Sequence, residues 1–403
     1  MLSQTSVVAI LAGVKKGKGV KCRNDSYEYS KKGGITMRVL ILFTQPWHRG
    51  GAETHLETLV GGLLRQGVEV VLAGLDDEFV RRFNHIPVYK FPFRSRNPLV
   101  HYQNNLTLKK IVKEHGIQLI HAHHRTGSVY AYLLQLSMSV PYVVTFHDKW
   151  RPLHRAYKVF FPQNCIVISN GIKLHFIKVL KVKPAILNEI ANGVFIEDFY
   201  NKQDSEKPDG AGDNTILFVS RLNHHKTDVP LLLCKVMEGL NAIIPDSKLL
   251  LVGDGPEAGA IEAAAKRANV ACGRNVVSFL GGRNDIAWLL SRSSIAVGAG
   301  RFAIEAMAAG KPVIAIADGC DYPGIITQDN WFSASRTSWT RGDKAITKEN
   351  LSEDLQRVLL DKVLQKNLGQ FGRQLIAEEF SAEKMTASII AVYNKAMQTQ
   401  ASF

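Results

Sequence analysis

The sequence predicts a two-domain α/β protein with mostly parallel sheets, and three observations carry the prediction. The chain has 403 residues, 46% of them hydrophobic, enough for two cores at roughly 150 to 200 residues each. From Met37 onward, short β-branched and leucine-rich runs alternate with segments of helical period, as in strands joined by crossover helices. After Phe199 the pattern lapses into NKQDSEKPDGAGDN, polar and rich in Gly, Pro, Asp and Lys, which reads as a linker over residues 201–214. The domains are therefore placed at 37–200 and 215–381, with a last helix within 382–403.

Residues 1–36 are rich in Lys, Gly and Ser and show no sustained period. Their apolar stretch, Ser6 to Val14, is too short to span a bilayer, and its lysines follow rather than precede it, the wrong order for a secretory signal. Two readings stand for this segment, a disordered basic tail or a stretch outside the native protein. The second comes from Lys31-Lys32-Gly33-Gly34, whose purine-rich codons ahead of Met37 would resemble a bacterial ribosome-binding site. The intact mass of the native protein distinguishes them.

MRVLILF then opens the first domain as a buried strand. In RGGAETHLETLVGGLLRQG, residues Ala52, Leu56, Leu59, Val60, Leu63 and Leu64 share one helical face, ended by Gly67. Strands are expected at VEVVLAGL, IPVYKF, IQLIHAH, PYVVTFH and CIVIS, with helices at Leu106 to His115 and Thr126 to Leu136. The second domain repeats the scheme. Strands ILFVSRL, KLLLVGDG, VVSFLGG, IAVGAG and PVIAIA alternate with helices at Val229 to Leu240, Pro256 to Ala268, Ile286 to Leu290 and Phe302 to Ala309. Ala382 to Met397 is amphipathic and closes the chain as a helix.

No run of about 18 apolar residues occurs, which excludes a spanning helix. The five cysteines (Cys22, Cys165, Cys234, Cys272, Cys320) are odd in number and lack a CxxC pair, against both a disulfide framework and a zinc site, so a reducing cytosol is expected. The formal net charge of +14 is unevenly placed. Residues 1–36 hold 7 basic and 2 acidic groups, residues 37–200 hold 20 and 11, and residues 201–403 hold 23 of each. The excess in the folded part thus belongs to the first domain. Basic and aromatic residues interleave there in KWRPLHRAYKVFF, followed by Lys173, Lys178, Lys181 and Lys183. This reads either as a solvated face or as a docking surface for anionic lipid or a phosphorylated acceptor. No nucleic-acid module accompanies the charge.

Five places bear on chemistry, three of them with a plainer alternative. Arg49-Gly50-Gly51-Ala52-Glu53 is a strand-to-helix turn whose free amides suit an anion, or a simple tight turn with Glu53 favourable at the helix start. His147 lies at the carboxyl end of a strand, where ligands of open α/β sheets collect, or is a structural imidazole. In HAHH, alternation puts at most two of His121, His123 and His124 on one face, too few for a metal without outside ligands. Arg221 and Lys226 in SRLNHHK suit a diphosphate, or are solvated loop charges. Gly298-Ala299-Gly300-Arg301-Phe302-Ala303, with Asp318 eighteen positions beyond Gly300, mimics the dinucleotide-binding fingerprint. Glu305 stands just after it among small residues, where an unpaired buried carboxylate would be costly, so it suits the two hydroxyls of a ribose.

In order, RGGAETHLETLVGGLLRQG, VVTFHD, NGV followed by Phe199, ILFVSRLNHHK, LLLVGDGP, VSFLGGRNDI and GRFAIEAMAAGKPVIA resemble the family-four retaining glycosyltransferases of GT-B fold, in the glycosyltransferase group 1 superfamily. The resemblance spans Met37 to about Met397. It implies two Rossmann-like domains facing a cleft, the second holding a nucleotide-sugar, the first an acceptor, with the final helix crossing back. It assigns Arg221 and Lys226 to the donor diphosphate, Glu305 to the ribose, and the amides around Gly300, Arg301, Phe302 and Ala303 to phosphate and sugar. Gly50 and Gly51 would approach the diphosphate from the opposite domain, Gly253 would belong to the donor site, Arg283 and Asn284 to the base pocket, and His147 would meet the transferred sugar. Arg49, His124, Lys149 and Arg151 are the acceptor-side candidates. No metal or other cofactor is expected.

One departure stands out. The family's first glutamate, eight positions before Glu305, is Val297 here, and Arg301 is a candidate to replace its contact. The expected function is transfer of a sugar from a nucleotide diphosphate, UDP first among them, to an acceptor in envelope polysaccharide, lipopolysaccharide or glycolipid synthesis, by a cytoplasmic protein peripheral to the membrane. The alternatives are a nicotinamide-dependent oxidoreductase using the Gly298 turn and a non-catalytic sugar-binding protein.

Overall fold

The computed structural model describes residues 37–47, 50–200, 214–319 and 321–401. Residues 1–36, Arg49, nearly all of the expected linker, Cys22 and Cys320 lie outside them.

The first domain is a seven-stranded, all-parallel sheet in the order β3-β2-β1-β4-β5-β6-β7. Its strands are β1 (Arg38–Phe43), β2 (Glu69–Gly74), β3 (Val88–Lys90), β4 (Leu119–His123), β5 (Tyr142–Phe146), β6 (Cys165–Val167) and β7 (Leu187–Glu189). Five helices accompany it, α1 (Gly51–Arg65), α2 (Asp77–Arg82), α3 (Pro98–Glu114), α4 (His124–Met138) and α5 (Asn170–Lys178). Val39 through Phe43 are wholly buried because helices cover both faces, which is why β1 reads as a continuous apolar run. Helix α3 starts eight residues before the expected Leu106. Asn97 caps it by accepting the Leu99 amide at 2.9 Å, and Pro98 occupies its first position.

A short α6 (Glu197–Tyr200) ends this half. The second sheet runs β10-β9-β8-β11-β12-β13. Its strands are β8 (Thr215–Val219), β9 (Lys248–Val252), β10 (Val277–Phe279), β11 (Ile295–Gly298), β12 (Val313–Ala315) and β13 (Gly324–Ile325), the last antiparallel. Around it pack α7 (Asp228–Ile243), α8 (Ala258–Cys272), α9 (Ile286–Ser291), α10 (Arg301–Ala308), α11 (Trp331–Arg336), α12 (Lys348–Leu360) and α13 (Lys362–Glu379). Both sheets reverse direction at their first strand, between β1 and β4 and between β8 and β11. That is the doubly wound arrangement, whose ligands sit beyond the carboxyl ends of the strands at the reversal.

The last helix, α14 (Ala382–Ala401), returns to the first domain. Met385, Ile389, Val392, Tyr393 and Ala396 join the core of Val39, Ile41 and Phe43. Gly62 of α1 admits it, since a Cβ there would stand 2.1 Å from Thr386 Oγ1. The Tyr393 hydroxyl lies 2.6 Å from His121 Nδ1.

Candidate functional site

The carboxyl ends of the two sheets bring the glycine turn of the first domain against the basic loop of the second. Gly50 is extended (φ −156°) and precedes α1. A Cβ on it would lie 2.9 Å from Glu53 Oε2 and 3.2 Å from Arg221 Cζ, so the turn sits directly against that guanidinium. At Gly51 and Gly300 a Cβ would meet nothing within 4 Å. Their backbones therefore face open space, as a ligand approach requires.

Arg221 and Lys226 are both exposed on the loop after β8. Desolvation and the like charge of Arg221 push the Lys226 ammonium down, with Asp318 opposing. Asp148, after β5, is pushed up by desolvation against the pull of Arg125 and Arg221. Gly253, at the end of β9, is buried, and a Cβ would come within 2.1 Å of the Ser220 carbonyl, so this glycine sets the path of the chain leading into Arg221. Arg283 is engaged bidentately by Asp285 at 2.9 and 2.6 Å, and Asn284 beside it is exposed.

The turn at Gly298 departs from the expected use of all its parts. Gly300 (φ +62°) donates its amide to the Ser338 carbonyl at 2.9 Å, and the Phe302 and Ala303 side chains are buried in the core. What faces the cleft is the start of α10. Asp318 accepts the Val229 amide at 2.6 Å at the start of α7, a capping role rather than the ribose contact of a dinucleotide site. Val297 is fully buried in β11 between Phe218 and Ile314.

Arg301 is held by three groups. Nε donates to Glu305 Oε1 at 2.8 Å, Nη1 to the Gly193 carbonyl at 3.1 Å and Nη2 to Thr58 Oγ1 of α1 at 2.9 Å. The guanidinium thus orients Glu305 while tying α10 to the first domain. Burial pushes the Glu305 carboxyl up and Arg301 opposes the shift.

Behind the glycine turn lies a group of five histidines. His121 is satisfied by Tyr393 and by Thr145 Oγ1, the latter at 2.7 Å, and burial pushes it down to about 3. His123 Nδ1 lies 2.9 Å from His147 Nε2, and burial pushes His147 down to about 4. His55 of α1 packs edge-on against His147, with ring centres 4.9 Å apart. His124 (φ +66°) is buried beside them rather than open to an acceptor. Burial also holds His55, His123 and His124 well below the ordinary range. Lys149 and Arg151 are exposed at the start of a 3-10 helix, Pro152–Phe160, none of whose residues is buried.

Sequence reasoning did not single out His55, Thr58 or Asp148. Thr58 and His55 lay in full view on the α1 motif, but nothing in a helical period says which polar residue turns toward another domain.

Comparison with known proteins places residues 49–198 in Glycosyltransferase Family 4 and residues 200–375 in Glycosyl transferases group 1. A chain from Methanocaldococcus jannaschii, an uncharacterised glycosyltransferase, is 26% identical over 380 residues, covering 90% of this chain and 99% of that one. A glycosyltransferase structure from Rickettsia africae superposes with a TM-score of 0.73 at 18% identity, over 90% of this chain and 99% of the other. Anabaena HepE, crystallised with UDP and glucose, gives 0.68 at 19% identity, over 89% and 100%.

Proposed function

The chain belongs to the group 1 and family 4 glycosyltransferases of GT-B fold, and from that premise we propose that it transfers a sugar from a UDP-sugar, with retention of configuration, to an anionic saccharide or lipid-linked acceptor of the cell envelope. The observation that carries this reading is the juxtaposition of Gly50 and Arg221 across the two domains. A diphosphate held there would meet the Arg221 guanidinium, the Lys226 ammonium and the amides opening α10. Such positive charge would stabilise a departing nucleoside diphosphate without a covalent enzyme intermediate. Glu305, oriented by Arg301, would accept from the ribose hydroxyls. His147 would face the sugar, and front-face attack within an ion pair would preserve the anomeric configuration.

The acceptor side rests on charge. The 3-10 helix exposes Leu153 (87%) and Val159 (66%) among Lys149, Arg151, Arg155 and Lys158, the mixture that suits an anionic interface. No helix among the described residues is long and apolar enough to cross a membrane.

A screen of UDP-, GDP- and other nucleotide-sugars for binding and slow hydrolysis tests the reading. UDP at one hundred times its Kd stabilises the protein by about 2.7 kcal/mol, and the released sugar keeps its anomeric configuration. Stabilisation by NAD with none by UDP or GDP refutes it. Tight donor binding without hydrolysis or transfer favours a sugar-binding protein, the reading that Val297 keeps in play.

A further inference from the structure

The sequence gave no reason to expect a metal, because HAHH alone presents at most two rings to one face. The fold supplies the outside ligands that this pattern lacks. His121 and His123 do share a face, with ring centres 4.5 Å apart, but it is His55 from α1 and His147 from the end of β5 that converge on His123. One ring nitrogen from each of His55, His123 and His147 lies within 4.8 Å of the others.

We propose that His55, His123 and His147 form a binding site for a divalent transition metal of zinc type. Three observations support the assignment independently of the glycosyl-transfer reading.

First, the rings are short of hydrogen bonds. Both nitrogens of His55, Nε2 of His123, Nε2 of His124 and Nδ1 of His147 are buried without a partner. His55, His123 and His124 are themselves 1%, 0% and 7% exposed. A neutral imidazole always carries one donor and one lone pair; His55, with Asn192 beside it, meets at most one of the two, and an unmet buried polar group is destabilising. By contrast His121, in the same core, is bonded at both nitrogens. Among the described histidines the shortage falls on His55, His123, His124 and His147.

Second, the dimensions are close. Zinc–imidazole bonds of about 2.0–2.1 Å place tetrahedral ligand nitrogens about 3.3 Å apart. One nitrogen from each of the three rings lies within 4.8 Å of the others, and an ion taken by His123 Nδ1 and His147 Nε2 would replace the 2.9 Å hydrogen bond that now joins them. Third, the donor chemistry is consistent. All-nitrogen sites suit zinc, copper, nickel and cobalt rather than magnesium or calcium. A bound ion would fix the His147 ring beside the cleft and tie α1 to β4 and β5.

The test uses the full chain, stripped with a chelator and titrated with zinc against a chromophoric indicator, with cobalt(II) as a spectroscopic substitute. One ion per chain is expected, with the visible bands of tetrahedral cobalt. His55→Gln and His123→Gln each weaken binding at least tenfold, and His123→Cys, which keeps a ligand, retains it. Zinc-edge X-ray absorption on the unaltered protein needs no variant and is expected to show three imidazole nitrogens at about 2.0–2.1 Å. The exposed His224 and His225 are the competing surface site. Binding that is lost in His224→Gln/His225→Gln but kept in His55→Gln overturns the proposal, as does the absence of stoichiometric metal at micromolar zinc.

Discussion

Replacing Arg301 by Met leaves Glu305 buried beside an apolar side chain of similar length, and the cost of that change can be bounded. The wild-type guanidinium makes three contacts, to Glu305, the Gly193 carbonyl and Thr58, and its side chain is only 12% exposed. Breaking a buried ion pair by removing one partner typically costs about 3–5 kcal/mol. The carboxyl can escape by taking a proton. From an ordinary value of 4.5, holding that proton at pH 7 costs about 3.4 kcal/mol at 1.36 kcal/mol per unit, which caps the electrostatic part of the loss. At pH 5 the same step costs only about 0.7 kcal/mol. The sign follows from linkage. The folded-state value of Glu305 already lies above the unfolded one, and losing Arg301 raises it further, so the stability it contributes is present below pH 4.5 and is lost as pH rises. Urea unfolding at pH 5 and pH 7 is the assay. Arg301→Met is expected to lose about 3 kcal/mol at pH 7 and markedly less at pH 5, and adding Glu305→Gln recovers most of the pH 7 loss. A loss independent of pH, or one that the second substitution leaves in place, refutes the coupling of Arg301 to Glu305.

Further consequences can be measured separately. Gly50→Val pushes side-chain atoms into Glu53 and Arg221 and is expected to weaken UDP binding at least tenfold by calorimetry, with little change in the far-UV spectrum. Arg221→Ala, which removes the charge and leaves the backbone alone, weakens the same binding, and more so at low salt than at high salt. Gly62→Ala forces a contact with Thr386 and costs about 1–3 kcal/mol, which Thr386→Ala largely restores in thermal unfolding. Metal-free protein loses stability in mild acid. His147 and His121 titrate near 4 and 3 when folded against an ordinary 6.5, so their contribution is complete above pH 6.5 and falls away as pH drops toward those values. Unfolding midpoints measured from pH 7 to pH 4 check this, and a flat profile contradicts it.

The alternation of strand and helix was readable because each element buries a face, and burial imposes a period. The α1 stripe and the wholly apolar β1 illustrate this, and so does the existence of α14, whereas its return to the first domain was implied only by the family resemblance. Contacts that join distant residues of unlike elements left no such trace. Thr58 and Arg301 are 243 positions apart, and neither has a neighbour in sequence that announces the other. The histidines teach the same lesson in reverse. Alternation along β4 was read correctly, yet the conclusion depended on what lay opposite, and that was supplied by α1 and β5. Asp318 misled for a related reason. Its spacing from Gly300 matched a ribose ligand, but the start of α7 lies nearer and takes the carboxylate.

Val297 and Arg301 are best understood together. Position 297 points into the core of β11, between Phe218 and Ile314, where a carboxylate would have no partner. A sugar contact from that position would require a different course of the turn, so the valine belongs to this geometry rather than being a lone lost group. Arg301, four positions before Glu305 on α10, fills the space in front of it and reaches Thr58 on the other domain. A donor whose ribose takes Glu305, as proposed above, would meet a carboxylate whose Oε1 Arg301 already holds. Because one of Arg301's contacts crosses to α1, the proposed donor role of Glu305 would couple donor binding to the contact between the two domains. Thr58→Val, which removes the cross-domain acceptor and keeps the side chain's shape, separates the two effects. It leaves the Arg301–Glu305 bond intact and is expected to change donor affinity while altering stability by no more than about 1.5 kcal/mol, the value of one ordinary hydrogen bond. An unchanged affinity would mean that Glu305 serves the donor without reference to the first domain.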